Sequence, residues 1–147
     1  MIVRKIAIAI GVMALASTYA SAQDPISQRQ AAMKTVGGAA GVAGKMLKGE
    51  MAYDAAAALD ALTKISEVAQ TFGDYFPEGS ETGGKTRASP KIWEDRAGFD
   101  AAIAKLQMDS AAAVAAAPAD LDSFKAAFGA IGANCGTCHK AYRLAAN

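Results

Sequence analysis

Histidine and cysteine are scarce in this chain, which has one histidine and two cysteines among 147 residues. Net positive charge is also small, because 15 basic residues are balanced by 14 acidic ones. The chain therefore lacks the basic surplus that is typical of nucleic-acid binding. The sequence lacks a persuasive alternation of apolar and polar residues, the pattern of a half-buried strand. It also lacks a glycine-rich phosphate loop following a strand. These absences favour an all-helical protein whose chemistry depends on very few side chains.

The three rare residues all fall within one pentapeptide, Cys135-Gly136-Thr137-Cys138-His139. The spacing Cys-x-x-Cys-His is the signature of covalent c-type haem attachment. Two thiols can add to the two vinyl groups of a haem as thioethers, and the adjacent imidazole can bind the iron. On a helix, residues three and four apart are neighbours, so Cys135, Cys138 and His139 share one face. The motif predicts one covalent haem c, anchored by Cys135 and Cys138 and bound at its iron by His139.

Three other interpretations of the motif are weaker. Zinc normally takes four protein ligands, or three and a water, and three ligands within five helical residues could hardly surround it. A thioredoxin-type redox pair expects a βαβ context, which the sequence lacks. A disulfide between Cys135 and Cys138 would close a very small loop. The only histidine is assigned to the iron, so a Ser-His-Asp catalytic arrangement is excluded.

Residues 1–22 have the pattern of a cleaved secretory signal peptide. Arg4 and Lys5 supply the positive start, residues 6–16 are uncharged and mostly apolar, and Ala20-Ser21-Ala22 is a small-residue cleavage site. The apolar stretch is shorter than the roughly 20 residues of a membrane span. We therefore expect a soluble, exported domain at 23–147, located in a bacterial periplasm.

Capping residues delimit four helical segments, which predict an all-α, antiparallel up-down-up-down four-helix bundle. Their expected bounds are 25–48, 53 or 54–72, 89 or 90–117, and 120 to the tail. The connection at 73–89 is 17 residues long and rich in glycine, serine and threonine, so it is expected to be a long loop with Phe76 returning to the core.

Apolar residues recur at steps of three and four along each segment, as on the buried face of a helix. In the last helix they are Leu121, Phe124, Phe128, Ile131, Cys135, Cys138 and Tyr142. In the first, the same face carries the charged Arg29 among the apolar residues Ile26, Met33, Val36, Ala40, Ala43 and Leu47. In the second they are Ala55, Leu59, Leu62, Ala69 and Phe72, and in the third Ile92, Phe99, Ile103, Leu106 and Ala113. Since the cysteines continue the last of these faces, the haem is expected inside the bundle.

The chain resembles cytochrome c prime, the class II c-type cytochromes, over essentially all of 23–147. The resemblance rests on several short segments and on the haem motif near the C-terminus. They are Arg29-Gln30-Ala31-Ala32-Met33, Met46-Leu47-Lys48-Gly49-Glu50, Tyr53-Asp54-Ala55-Ala56, Phe76-Pro77, Pro90-Lys91-Ile92-Trp93, Phe124-Lys125-Ala126-Ala127-Phe128-Gly129 and 135–143. It implies a haem-containing four-helix bundle that is typically a homodimer through its first two helices. Four glycines cluster on the first helix (Gly37, Gly38, Gly41, Gly44), which suits either haem insertion or packing against a second subunit.

Arg29 is a charged residue on an apolar face, and a buried charge is costly without a partner. A haem propionate would supply that partner, and the resemblance places an arginine of this position near a propionate. Gln30 and Thr86 are further candidates for the propionate edge. The alternative for Arg29 is a side chain that extends to solvent from the helix start.

Met33 lies one turn after Arg29 and, by resemblance, covers the distal face of the iron. It is either an apolar packing residue or a sixth iron ligand, as in Met/His cytochromes. The sequence favours packing, because the whole-chain resemblance is to the five-coordinate type. Arg143 is placed beside the proximal imidazole by resemblance, and its alternative is a surface charge at the helix end.

Two functions follow from these residues. A five-coordinate, high-spin iron would carry one electron and bind uncharged NO or CO. A six-coordinate, low-spin iron with Met33 as ligand would be an electron carrier for an unknown redox partner protein. A haem peroxidase is disfavoured, since catalysis of that kind wants a distal acid–base group and polar donors, and this face offers only Arg29. We therefore expect no enzymatic activity.

Overall fold

The computed structural model describes residues 24–145, and their regular secondary structure is entirely helical. The five α-helices are α1 (Pro25–Leu47), α2 (Ala55–Phe72), α3 (Lys91–Glu94), α4 (Arg96–Ala116) and α5 (Leu121–Tyr142), with a 3-10 turn at Gly73–Tyr75. The four long helices form the predicted antiparallel bundle, in which each one packs against the next along the chain. The predicted signal peptide at 1–22 lies outside the described residues. No helix within 24–145 is long and apolar enough to cross a membrane.

The helix starts follow the capping residues that the sequence offers. The Asp24 carboxylate accepts hydrogen bonds from the backbone N–H of Ile26 and Ser27, and Pro25 occupies the first helical position. The Asp54 carboxylate caps α2 by accepting one hydrogen bond, from the backbone N–H of Ala57. Asp120 forms a reciprocal capping box with Ser123 at the start of α5. The bounds of α1 and α2 and the start of α5 therefore agree with the prediction to within about two residues.

The third predicted helix is wrong as a single segment, because it is interrupted at Asp95. Asp95 has φ −127° and ψ 56°, outside the helical region, and separates the short α3 from α4. Its carboxylate accepts one hydrogen bond from the backbone N–H of Gly98 and another from the hydroxyl of Tyr142, at 3.0 Å, on α5. The interruption is therefore stabilised both by capping of α4 and by a contact with the helix that carries the haem motif.

Two apolar clusters fill the bundle. The first joins small and aliphatic side chains of α1 and α2 to Phe124 and Ile131 of α5. The second is mainly aromatic and contains Phe72, Phe76, Ile92, Phe99, Ile103 and Tyr142. Phe76 is buried, as predicted from its place in the loop.

The predicted buried face of α2 is wrong in its first half. Ala55 is exposed and Leu59 is 37% exposed, whereas Ala58 and Ala61 are buried. Leu121, predicted to be buried at the start of α5, is 38% exposed. In both helices these residues lie in the first turns, where the bundle covers the helix less completely.

Candidate functional site

A cavity of about 340 Å³ lies between α1, α4, α5 and the loop that follows α2. Its walls are mostly apolar, and Val36, Phe72, Phe99 and Leu106 are among them. All eight residues that the sequence singled out line this one cavity. They are Arg29, Gln30, Met33, Thr86, Cys135, Cys138, His139 and Arg143. The fold therefore brings together residues that are up to 114 positions apart in the sequence.

The two cysteines lie on the α5 wall of the cavity, and both are free thiols. Each is partly buried, and burial raises the pKa of both thiols, with the neighbouring Cys135 adding to the effect at Cys138. Neutral thiols facing an apolar cavity are suited to addition to an apolar vinyl group. They are poorly suited to hold a bare cation, which binds the thiolate.

His139 follows on the same wall, near the surface. Burial lowers the pKa of the imidazole, and the positive charges of Arg143 and Arg87 lower it further. Both causes favour the neutral ring, the form that binds metals. The ring nitrogen Nδ1 lies 3.3 Å from Nη1 of Arg143. Arg143, which the resemblance places beside this imidazole, therefore lies next to it in the structure.

Arg29 is only 5% exposed, so the prediction that it is a buried charge agrees with the structure. Its guanidinium donates to the carbonyl of Tyr75 and to the hydroxyl and carbonyl of Ser80, at 2.7 Å for the carbonyl of Ser80. It also donates to the hydroxyl of Thr86 at 2.8 Å. The ring of Phe76 lies beneath it at 5.1 Å. The hydrogen-bond partners of the guanidinium are therefore all uncharged loop groups. Burial lowers the pKa of Arg29, and the charges of Asp24 and Glu81 partly oppose that effect.

Gln30 and Thr86 lie beside Arg29 at the same edge of the cavity. The Gln30 side-chain amide donates to the carbonyl of Lys85 at 3.0 Å. The Thr86 hydroxyl accepts from Arg29 and from the backbone N–H of Ala88. This is the polar edge of an otherwise apolar cavity.

Met33 lies in α1, where the two apolar clusters meet, and it contacts both. It is partly exposed and lines the cavity, so it is not enclosed in the core. His139 lines the same cavity from α5.

Sequence reasoning missed several residues of the site. Asn134 lines the cavity beside Cys135, and its amide donates to the Asp109 carboxylate of α4 at 2.7 Å. Its position next to the motif was the available signal. Lys85 and Arg87 line the cavity from the long loop, and nothing in the sequence indicates where a loop of this length lies.

The α1 glycines do not line the cavity, and close packing among residues 24–145 does not require them. A methyl group at Gly37, Gly38, Gly41 or Gly44 would have no atom within 4 Å. Haem insertion therefore does not account for them.

The residues present fit a covalently bound haem. Two neutral thiols and a neutral imidazole share one helical wall, the remaining walls are apolar, and a polar edge suits propionates. No three His, Cys, Asp or Glu side chains within 24–145 come together as a bare metal site. A four-helix bundle with this motif on its last helix defines a c-type cytochrome.

Comparison with known proteins specifies the family. The family model described as Cytochrome C′ matches residues 24–143. Cytochrome c-556 of Agrobacterium fabrum is 41% identical over 138 residues, which cover 94% of this chain and 92% of that protein. The chain belongs to the cytochrome c prime family, and the proteins of this family are electron-transport proteins that carry covalent haem c.

Solved structures of the family have the same fold. Cytochrome c prime from Rhodopseudomonas palustris is 40% identical and has a TM-score of 0.80, covering 84% of this chain and 98% of its own. A nitric oxide complex of a variant of cytochrome c prime from Alcaligenes xylosoxidans is 34% identical with a TM-score of 0.72, covering 82% and 94% of the two chains.

Proposed function

We propose that this cytochrome is a one-electron carrier in which Cys135 and Cys138 hold the haem and His139 and Met33 bind its iron. The observation that carries the proposal is that these four side chains line one apolar cavity, three from α5 and one from α1. When bound, the haem supplies a reversible Fe(III)/Fe(II) couple. The apolar side chains around it exclude water and lower the local dielectric, which tunes the potential of such a couple.

The polar edge is proposed to orient the haem through its propionates. Arg29 has its terminal N–H groups engaged with the loop, so Nε–H is the donor left for a propionate unless Thr86 is displaced. The exposed amide of Gln30 can rotate towards the same edge. Arg143 is proposed to act on the proximal side, where its charge opposes positive charge on the imidazole.

Met33 is proposed as the sixth ligand because of where its side chain lies. Met33 borders the cavity and is partly exposed, so its sulfur is not enclosed in the core. Met33 lines that cavity from α1 and His139 lines it from α5, so a thioether and an imidazole are both available to the iron. Overall similarity does not oppose this assignment, since relatives named cytochrome c-556 and cytochrome c prime match the chain about equally well.

A Met33→Leu variant tests the ligand, because leucine keeps an apolar side chain of similar size without the sulfur. We expect the wild-type ferrous protein to have a low-spin spectrum that is unaffected by CO. The variant should become high-spin and bind CO, and its potential should fall. Met108→Leu, at an exposed methionine of α4, is the matched control and should match the wild type.

Gas binding at a five-coordinate iron is the second candidate, favoured by the nitric oxide complex of the Alcaligenes relative. In that case Met33 is a packing residue on an apolar distal face that admits NO or CO. A wild-type spectrum that is high-spin and changes with CO, and that Met33→Leu leaves unchanged, would establish this function in place of the first. Both candidates are non-enzymatic.

The location and assembly of the protein are also proposals. We propose export to the periplasm after cleavage following Ala22, in keeping with the family. We propose a homodimer through α1 and α2, supported by the open surface at Gly37, Gly38 and Gly41. Sedimentation of Gly41→Lys against the wild type would show whether this surface is the interface.

A further inference from the structure

Three positively charged side chains, Lys85, Arg87 and Arg143, line the cavity and are exposed to solvent. We call this set the basic rim. No Asp or Glu lines the cavity among the described residues. The chain as a whole is nearly neutral, with a formal charge of +1, so this rim is a local concentration of positive charge.

The charges of the basic rim are not neutralised by carboxylates. None of the three lies within 4.0 Å of a carboxylate in the described part of the chain. Ion pairs do form elsewhere, as between Lys64 and Asp60 at 2.6 Å. The Arg87 guanidinium donates instead to a neutral group, the carbonyl of Leu144.

The backbone holds two of these side chains in place. Ala88 and Arg143 form an isolated antiparallel bridge, in which the N–H of Leu144 donates to the carbonyl of Arg87 at 2.9 Å. The Ser89 N–H donates to the carbonyl of Tyr142 at 3.0 Å. The loop and the end of α5 are therefore joined through their backbones, which keeps Arg87 and Arg143 close together and reduces the backbone entropy lost when a partner binds.

We infer that the basic rim is the docking surface for a redox partner protein that presents a cluster of carboxylates. The inference rests on the proposed function as an electron carrier. An acidic face seated on Lys85, Arg87 and Arg143 would meet the protein where the haem cavity opens to solvent. Complementary charge steers encounter and accelerates association at low ionic strength.

The first test measures how fast the ferrous holoprotein loses an electron to two small oxidants of opposite charge. Ferricyanide is an anion and tris(phenanthroline)cobalt(III) is a cation, and each accepts one electron as Fe(II) becomes Fe(III). For a Lys85→Gln/Arg87→Gln variant at low ionic strength, we expect the ferricyanide rate constant to fall roughly three- to tenfold and the cobalt rate constant to rise. Both differences should disappear in high salt.

The second test is binding of a fluorescent twelve-residue polyglutamate peptide at low salt, which needs no electron transfer. The same double variant should bind at least about fivefold more weakly than the wild type. Lys48→Gln/Lys125→Gln is the matched control, because it removes two exposed charges that do not line the cavity. It should behave as the wild type in both tests.

The outcomes separate the two proposals. Equal effects of the two double variants on peptide binding overturn the docking surface. The docking surface is also overturned if the rim variant binds the peptide as the wild type does but its reduction potential depends differently on pH. The cations then act only on the haem propionates. Tighter rim-dependent binding to phosphatidylglycerol vesicles than to the peptide likewise overturns the docking surface. A further outcome is that the wild type exchanges electrons with neither reagent while the rim variant loses peptide binding. This result keeps the docking surface and overturns the electron-carrier function.

Discussion

At the scale of single residues, Gly98 of α4 shows how closely α4 packs against the end of α5, the helix that carries the haem motif. A methyl group there would lie 2.6 Å from the Tyr142 hydroxyl and closer still to the Asp95 carboxylate. We expect Gly98→Ala to lower the free energy of unfolding by about 1–3 kcal/mol, because the overlap outweighs the better helix propensity of alanine. Denaturant titration of the holoprotein measures this change.

Gly132→Ala is the control for this prediction, since a methyl group there would meet no atom within 4 Å. It should be neutral or stabilising by up to about 1 kcal/mol. Removing the hydroxyl in Tyr142→Phe should relieve part of the overlap, so the double variant with Gly98→Ala should lose less than the sum of the two single changes. Additive losses would show that the hydroxyl is not the cause.

Single residues also show what the sequence could and could not predict. The pentapeptide at 135–139 was sufficient to predict the cofactor, because attachment depends on spacing along one helix. Burial of Arg29 followed from its place on an apolar face. Its contacts did not follow, since Ser80 and Thr86 reach it only through the path of a loop more than 50 residues away.

At the scale of elements, the interrupted third helix shows the same limit. Ile92, Phe99 and Ile103 keep helical spacing across the interruption, and all three are buried, so periodicity predicts one continuous helix. The break depends on Asp95, whose carboxylate caps α4 and also accepts from Tyr142, 47 residues later. A capping residue can be recognised in a sequence. A contact with a distant residue that interrupts a helix, such as the one from Asp95 to Tyr142, cannot.

The long loop after α2 depends on Arg29, and this gives a prediction at the element scale. Arg29→Met keeps an apolar stem and removes every hydrogen bond to the loop. We expect the free energy of unfolding to fall by about 2–4 kcal/mol, because hydrogen bonds from a charged donor are strong and buried acceptors are left unpaired. Amide exchange across 76–88 should accelerate more than exchange in α2.

Gln30→Ala is the matched control on the same loop. Its amide donates to the carbonyl of Lys85 but is exposed, so its loss should change stability by less than about 0.5 kcal/mol. If Arg29→Met leaves exchange in the loop unchanged, the guanidinium does not hold the loop.

At the scale of the whole molecule, acid should destabilise the bundle through three carboxylates. The pKa of Asp24 is lowered by the Ser27 hydroxyl, that of Asp109 by the Lys105 side chain and then Asn134, and that of Asp120 by the backbone N–H of Ser123. The ordinary pKa of each is 3.8, so the folded state binds a proton less readily than the unfolded chain. Their stabilisation is therefore complete above that value and is lost as pH falls through the lower folded pKa.

The triple variant Asp24→Asn/Asp109→Asn/Asp120→Asn tests this, because asparagine still caps helices but does not titrate. Urea titrations of the holoprotein from pH 6 downward should show a smaller loss of unfolding free energy in the variant than in the wild type. Asp74→Asn is the control. The Asp74 carboxylate makes no hydrogen bond among the described residues, so this variant measures the effect of removing one negative charge without removing a hydrogen bond. If the wild type and the triple variant lose stability in parallel, acid acts elsewhere, for example on the haem ligands, and these three carboxylates do not set the acid limit of the fold.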